Sequence, residues 1–179
     1  HSRHEVILPR KTIVELSKLL SDSDEDQIAL FIGENQIRAE FSDITIHSKL
    51  IDGKFPDYEK VIPTYTNHLL LNRLSILQAL QRVAILSNEK FRGVRFVLTE
   101  KNMRIISNNS EQEEAQEDID TDYHGVALDI GFNVNYLLDG LNNIETESVN
   151  FSFGDPNSSI LITIPGDENF NYVVMPMRI

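Results

Sequence analysis

The chain has 179 residues, 41% hydrophobic and 25% charged, the balance of an ordinary globular protein with room for one or two domains. It has no cysteine, which excludes disulfides, thiolate metal sites and a cysteine nucleophile. It has no run of roughly 18 apolar residues and no signal-peptide pattern, so no membrane-spanning helix is expected and a cytoplasmic location is. A net charge of -12 argues against indiscriminate nucleic-acid binding by the whole surface.

In chain order, the alternating run over 5–8 reads as a strand. Pro9-Arg10-Lys11 leads into a helix over 11–20, where Ile13, Leu16 and Leu20 fall at i, i+3 and i+7. Strands follow over 27–32, 36–41 and 44–48. Residues 54–66 hold two prolines, break all periodicity and read as a connector. A second helix over 73–86 carries Leu77, Leu80 and Ala84 on one stripe, and strands over 94–98, 103–107 and 125–130 come after it. Between them the acidic run Glu111-Gln-Glu-Glu-Ala-Gln-Glu-Asp118 reads as a solvated surface segment. A third helix over 133–143, with Asn133 as N-cap and Val134, Leu137, Leu138 and Leu141 apolar, precedes strands over 149–153, 159–164 and 172–177. In the last strand Met175 and Met177 share a face, and Pro176, which has no ladder donor, belongs at a sheet edge or strand end. Flexible thioethers suit a surface that accepts several apolar partners.

The helices begin about 61 residues apart, at Thr12, Leu74 and Val134, each followed by strands. A helix plus antiparallel strands, repeated, is an α+β fold rather than a series of parallel crossovers. If two copies close a domain, the first of three is a half-domain. The chain is then a fragment, in keeping with its lack of an initiator methionine. Charge is segregated along this repeat. From Arg73 to Arg104 seven Lys/Arg stand against two Glu, and from Asn108 to Asp129 eight Asp/Glu stand against no cation, so a local basic face on an acidic body is expected.

Groups that carry catalysis are poorly arranged. The glycines are scattered with no phosphate loop, and His1, His4, His47, His68 and His124 show no ligand spacing for a metal. Asp155, Asp167 and Glu168 lie in turn-like sequence, Asp57 sits between Pro56 and Tyr58, and no serine occupies a nucleophile elbow. No catalytic residue, metal or cofactor is expected, and a binding or scaffolding protein is.

Four ordered segments go further: Ser48-Lys-Leu-Ile-Asp-Gly-Lys-Phe-Pro-Asp-Tyr58, Ala84-Ile-Leu-Ser-Asn-Glu-Lys-Phe-Arg-Gly-Val94, Gly131-Phe-Asn-Val-Asn-Tyr136 and Tyr172-Val-Val-Met-Pro-Met-Arg178. Together with Pro9-Arg10-Lys11 they closely resemble the bacterial DNA sliding clamp family, the beta subunit of DNA polymerase III. The resemblance covers essentially the entire chain. It implies the DNA clamp fold, with helices on one side lining a hole and sheets on the other, in a head-to-tail homodimeric ring of three similar domains per subunit. Residues 1–58 then correspond to the second half of the middle domain and 59–179 to the complete third domain.

The implied function is a non-catalytic processivity factor that encircles duplex DNA and tethers the replicative polymerase, clamp loader and repair proteins through short linear peptides. Phosphate contacts are expected from Arg10 and Lys11, where cations at a helix N-terminus suit an arriving anion, and from Lys54 and Arg82. The third helix offers Asn135, Asp139 and Asn142 but no cation. In the family a cleft between the second and third domains holds the peptides. The matching positions here are Pro56, Lys60, Val61, Phe91, Asn133, Tyr136, Asn157, Ser159, Val173, Met175, Pro176, Met177 and Arg178. Asn157 stands where an apolar residue is frequent and Lys60 where arginine is, so one edge is expected to be more polar. Ile85 and Leu86 with Glu113, Glu114 and Glu117 are the implied face toward the neighbouring subunit, with Gln116 at a position often acidic. The upstream cleft wall and the complementary basic domain are not in this sequence, so weaker peptide binding and a monomeric fragment are expected. Two other readings stay open at this point: a stand-alone peptide-binding module that never encircles DNA, and a metal-dependent hydrolase using the carboxylates of 111–122.

Overall fold

The computed structural model describes residues 4–24 and 26–178. His1 and Ile179, which the sequence reading touches, lie outside them. The chain divides into two units, residues 1–57 and 58–179.

The first unit is one helix and one meander. Helix α1 spans Arg10–Ser21, entered through extended Pro9 at φ -60° and ψ 139°, whose carbonyl accepts the first turn's bond from the Ile13 amide at 3.3 Å. Strands β1 (Ala29–Ile32), β2 (Gln36–Phe41) and β3 (Ile44–Lys49) pair antiparallel in that order. Alternation along β2 buries Ile37, Ala39 and Phe41 on one face. A hydroxyl pair, Thr12 Oγ1 with Ser48 Oγ at 2.6 Å, ties α1 to β3. The expected strand over 5–8 is a single bridge, Ile7 to Ile51, because these residues find no ladder among the described residues of their unit. The apolar stripe of α1 is present but uncovered within the unit. No residue of the helix is fully buried, Ile13 is exposed, and so are Leu30, Phe31 and Ile32 of β1.

The second unit contains the helix-and-strand pattern twice. One copy is β4 (Asn67–Asn72), α2 (Arg73–Ala84), β5 (Gly93–Thr99), β6 (Asn102–Asn108) and β7 (Glu114–Asp120). The other is β8 (Leu128–Asn133), α3 (Val134–Asn142), β9 (Ser148–Phe153), β10 (Ile160–Ile164) and β11 (Asp167–Val174). The copies exchange their first strands: the sheets run β11-β10-β9-β4 and β7-β6-β5-β8, all antiparallel. Each helix begins at an asparagine that caps it, Asn72 Oδ1 accepting from the Ser75 amide and Asn133 Oδ1 from the Asn135 amide. Both helices bury their apolar stripes, Ile76, Leu77, Leu80 and Val83 in α2 and Val134, Leu137 and Leu141 in α3, in one core with both sheets. The architecture is α+β, as expected.

Four elements differ from the sequence reading. Strand β4 lies directly after the proline-rich connector and is unanticipated, although Leu69 and Leu71 alternate inward along it. The acidic run is solvated as expected, but most of it is strand β7. Ala115, Glu117 and Ile119 half-bury one face at a sheet edge, while Asp118 faces Arg104 directly across the ladder. An edge strand tolerates such charge because its outer side stays in water. Strand β8 starts three residues later than expected, since Tyr123 donates to the Val126 carbonyl at 2.6 Å and its ring fills the space where any side chain on Gly125 would sit. Finally, β11 ends at Val174. Pro176 cannot donate, and the Met177 amide bonds the Gly131 carbonyl of β8 at 2.8 Å, so the tail leaves one sheet and touches the other. The strand-based argument that Met175 and Met177 share a face therefore lapses.

Candidate functional site

The tail residues beyond β11 organise the chemistry of the second unit. Val173 still pairs with Leu161, and Val174 closes the core. Met175 then stands 70% exposed, Pro176 and Met177 are half-buried, and Arg178 is exposed. An exposed apolar surface of this kind, bordered by one cation, is suited to capture a ligand.

Several sequence-picked residues converge here. Asn133 caps α3 with its oxygen and donates its Nδ2 to the Phe91 carbonyl at 3.3 Å, which fixes Phe91 beside β8. The Phe91 ring is exposed, and with Met177 and Arg178 it borders one hollow. Tyr136 is exposed on the first turn of α3, and its carbonyl accepts the Tyr172 hydroxyl at 3.0 Å. Burial, then the nearby Asp139 and Tyr136, push the Tyr172 phenol above its ordinary range, so it stays a neutral donor. Asn157 and Ser159 sit in the β9–β10 turn. There the Asp155 carboxylate accepts from the Asn157 amide at 2.7 Å and the Ser158 hydroxyl at 2.8 Å, and the Ser159 carbonyl accepts from Tyr65 at 2.6 Å. Those hydrogen bonds, from Ser158 first and the Asn157 amide next, hold the Asp155 carboxyl below its usual range. Lys60 and exposed Val61 lie in a single 3-10 turn, Tyr58–Val61. Pro56 and Lys54 are exposed residues of the first unit.

The cationic candidates divide. Arg10 and Lys11 are exposed in the first turn of α1, which has no side-chain cap and no acidic residue. Two cations at the positive end of a helix raise the energy of that turn, and an anion docking there lowers it. Arg82 is different: its guanidinium grips Glu117 through two bonds of 2.7 and 2.9 Å. Sequence reading assigned these two residues to separate surfaces, DNA-facing and intersubunit. In the folded chain they are each other's partner. Further pairs join Arg104 to Asp118 and Arg95 to Asp129 across the same sheet. Of the other intersubunit candidates, Ile85 is 80% exposed, Leu86 is half-buried, Glu113 accepts from Asn109 Nδ2 at 2.7 Å, and Glu114 lies opposite Asn108.

The Arg82 bond, more than any other cause, holds the Glu117 carboxyl below its ordinary value. A carboxylate with a depressed folded-state pKa stabilises the fold fully above its unfolded value and loses that contribution as pH falls through the folded one. Glu117 should accordingly titrate, by carboxyl-carbon NMR, at lower pH than a free glutamate, and Arg82→Gln should move it back up. An unmoved Glu117 in that variant would show the pair absent in solution.

Among the described residues no three His, Asp or Glu side chains gather as a metal site, and no helix is long and apolar enough to cross a membrane. Sequence reading missed Tyr172 as the brace of Tyr136, and missed Asn88 and Asn108 beside Phe91. The only signal for Asn88 was its place two residues before Lys90, the spacing of an Asx turn.

Comparison with known proteins gives a consistent result. The family described as DNA polymerase III beta subunit, central domain, matches residues 1–57, and its C-terminal domain matches residues 59–178. The beta sliding clamp of Pseudomonas putida is 49% identical over 178 residues, covering 99% of this chain and 48% of that protein. A crystal structure of the DNA polymerase III subunit beta from Pseudomonas aeruginosa superposes with a TM-score of 0.90 at 46% identity, covering 99% of this chain and 49% of that one. A second structure of the Pseudomonas aeruginosa protein, bound to griselimycin, superposes at 0.88 with 46% identity over 99% and 48%. The chain spans about half the length of the curated relatives it matches.

Proposed function

Because the chain belongs to the bacterial DNA polymerase III beta-subunit family, we propose that it forms part of a sliding clamp, a processivity factor that encloses duplex DNA and tethers replication and repair proteins to it. The observation that carries this reading is the match of two consecutive clamp-domain families along the chain, on an architecture that superposes on clamp structures throughout. Residues 1–58 are the second half of a middle domain and 59–179 a third domain. The role is non-catalytic and topological, because a closed ring retains DNA without reading bases.

Arg10 and Lys11, with Lys54, meet phosphates by charge alone. Arg82 contributes there only if it releases Glu117, so it is the weaker member of that set. Peptides from polymerase, clamp loader and repair factors lie along the tail, where Met175, Pro176 and Met177 supply adaptable apolar contact. Tyr136, Phe91, Asn133 and Arg178 surround that contact, with Val61, Lys60, Val173, Asn157 and Ser159 at its margins. Ile85, Leu86, Glu113, Glu114 and Glu117 face the neighbouring subunit of a homodimer, where exposed ion pairs contribute about 0–1 kcal/mol each and set orientation more than strength.

Phosphate contact makes association fall with salt in proportion to the number of charges engaged. In the assembled ring, alanine at both Arg10 and Lys11 should reduce the slope of log affinity against log salt by about 1.8, two contacts at ~0.9 each. A slope that does not change rejects α1 as a DNA-facing element.

A further inference from the structure

Beside the tail the second unit has a hollow of about 350 Å³ whose lining combines an apolar floor with donors. Phe91 and Met177 supply the apolar surface, and Gly93 adds no side chain. Arg178, Asn88 and Asn108 supply the polar part. Asn88 spends its oxygen on the Lys90 and Phe91 amides, at 3.0 and 3.1 Å, which leaves its NH2 to donate. Neither the Arg178 guanidinium nor the Asn108 amide is engaged by another described side chain. Among the described residues no carboxylate lines this hollow, on a chain whose net charge is -12.

The adjacent hollow makes the contrast. It shares Asn88 and Asn109 as a wall but is lined by Glu89 and Glu111 together with Lys90. Asn109 keeps the acids on that side: its oxygen accepts from the Glu111 and Glu113 amides at 2.9 and 3.0 Å, and its NH2 holds the Glu113 carboxylate. One hollow therefore repels an anion, and its neighbour offers donors with no acid among the described residues to compete.

We propose that the hollow beside Phe91 is an acid-selective subsite for a tethered peptide, accepting an apolar residue followed by Asp or Glu. Resting on the peptide-capture reading, it extends that site past Met177 and gives it a preference for charge. The apolar side chain lies on Phe91 and Met177, and the carboxylate that follows reaches Arg178 and the two asparagine amides. A bare phosphate fits poorly, because it would leave the Phe91 and Met177 surface in water and meet a single cation.

Two blocked peptides separate the ideas, acetyl-Leu-Phe-Asp-amide and acetyl-Leu-Phe-Asn-amide, titrated into the chain and followed by amide and methionine-methyl NMR. The acid peptide is expected to bind about five- to tenfold more tightly, as charge-assisted hydrogen bonds at a partly exposed site do. It should perturb Gly93, Asn108 and the Met177 methyl. Arg178→Gln should make the two peptides equal while both still bind. Equal binding to the unaltered chain, or perturbation of Tyr136 and Met175 with Gly93 and Asn108 silent, overturns the subsite and leaves peptide capture standing. Silence at both groups of residues overturns both.

Discussion

Phe96→Ala is expected to destabilise the second unit by about 3–5 kcal/mol, the range for removing a buried aromatic ring. Phe96 is 0% exposed on β5, and its ring meets Phe132 of β8 edge-on at 5.3 Å and Phe151 of β9 at 6.3 Å. Phe151 in turn stacks on Phe153 at 6.2 Å. Since β5 and β8 belong to one sheet and β9 to the other, this aromatic chain is where the two sheets share a core. Truncation loses the transfer energy of the ring, leaves a cavity among rigid strands, and removes two aromatic contacts worth about 0.5–1.5 kcal/mol each. Against a total stability of about 5–15 kcal/mol, that is a large fraction of the whole. Urea unfolding gives the measurement, with Leu70→Ala as control. Leu70 lies on β4 facing outward, so its truncation should cost under about 1 kcal/mol. A similarly small loss for Phe96 would mean that the sheets stack without a common interior.

That core was legible in the sequence because its signals are local. Leu77, Leu80 and Ala84, or Val134, Leu137 and Leu141, repeat at helical spacing, and an asparagine precedes each helix to satisfy its free amides. What stayed hidden depends on a partner distant in sequence. Nothing in Glu114–Asp120 marks a strand until β6 brings Arg104 opposite Asp118, because charge at an edge looks the same as charge in a loop. Arg82 and Glu117 are 35 positions apart, and neither helical nor strand periodicity connects them. The tail shows a limit of another kind. Its apolar composition promised a strand to Met177, yet a bond from the Met177 amide to β8 takes the place of the ladder. Most residues of the candidate site were found through family likeness, not periodicity. The hollow's asparagines escaped because asparagine in a short segment reads equally well as a turn.

Gly140→Ala should destabilise the second unit by up to about 2 kcal/mol, although the same change in an open helix would stabilise it. Gly140 lies inside α3, where alanine is ordinarily worth about 1 kcal/mol over glycine. A Cβ at this position would stand 2.7 and 2.8 Å from two carbons of the Tyr172 ring, well inside contact distance. Tyr172 has little room to yield, because its backbone pairs with Ile162 and its hydroxyl bonds the Tyr136 carbonyl. Overpacking of that kind costs about 1–3 kcal/mol, enough to outweigh the propensity gain. The sign depends on one neighbour, which makes it testable by a double-mutant cycle. In a Tyr172→Ala background the clash is gone, and Gly140→Ala should turn stabilising by up to about 1 kcal/mol. If Gly140→Ala stabilises the unaltered chain instead, Tyr172 is not held against α3 and cannot be what fixes Tyr136 in place.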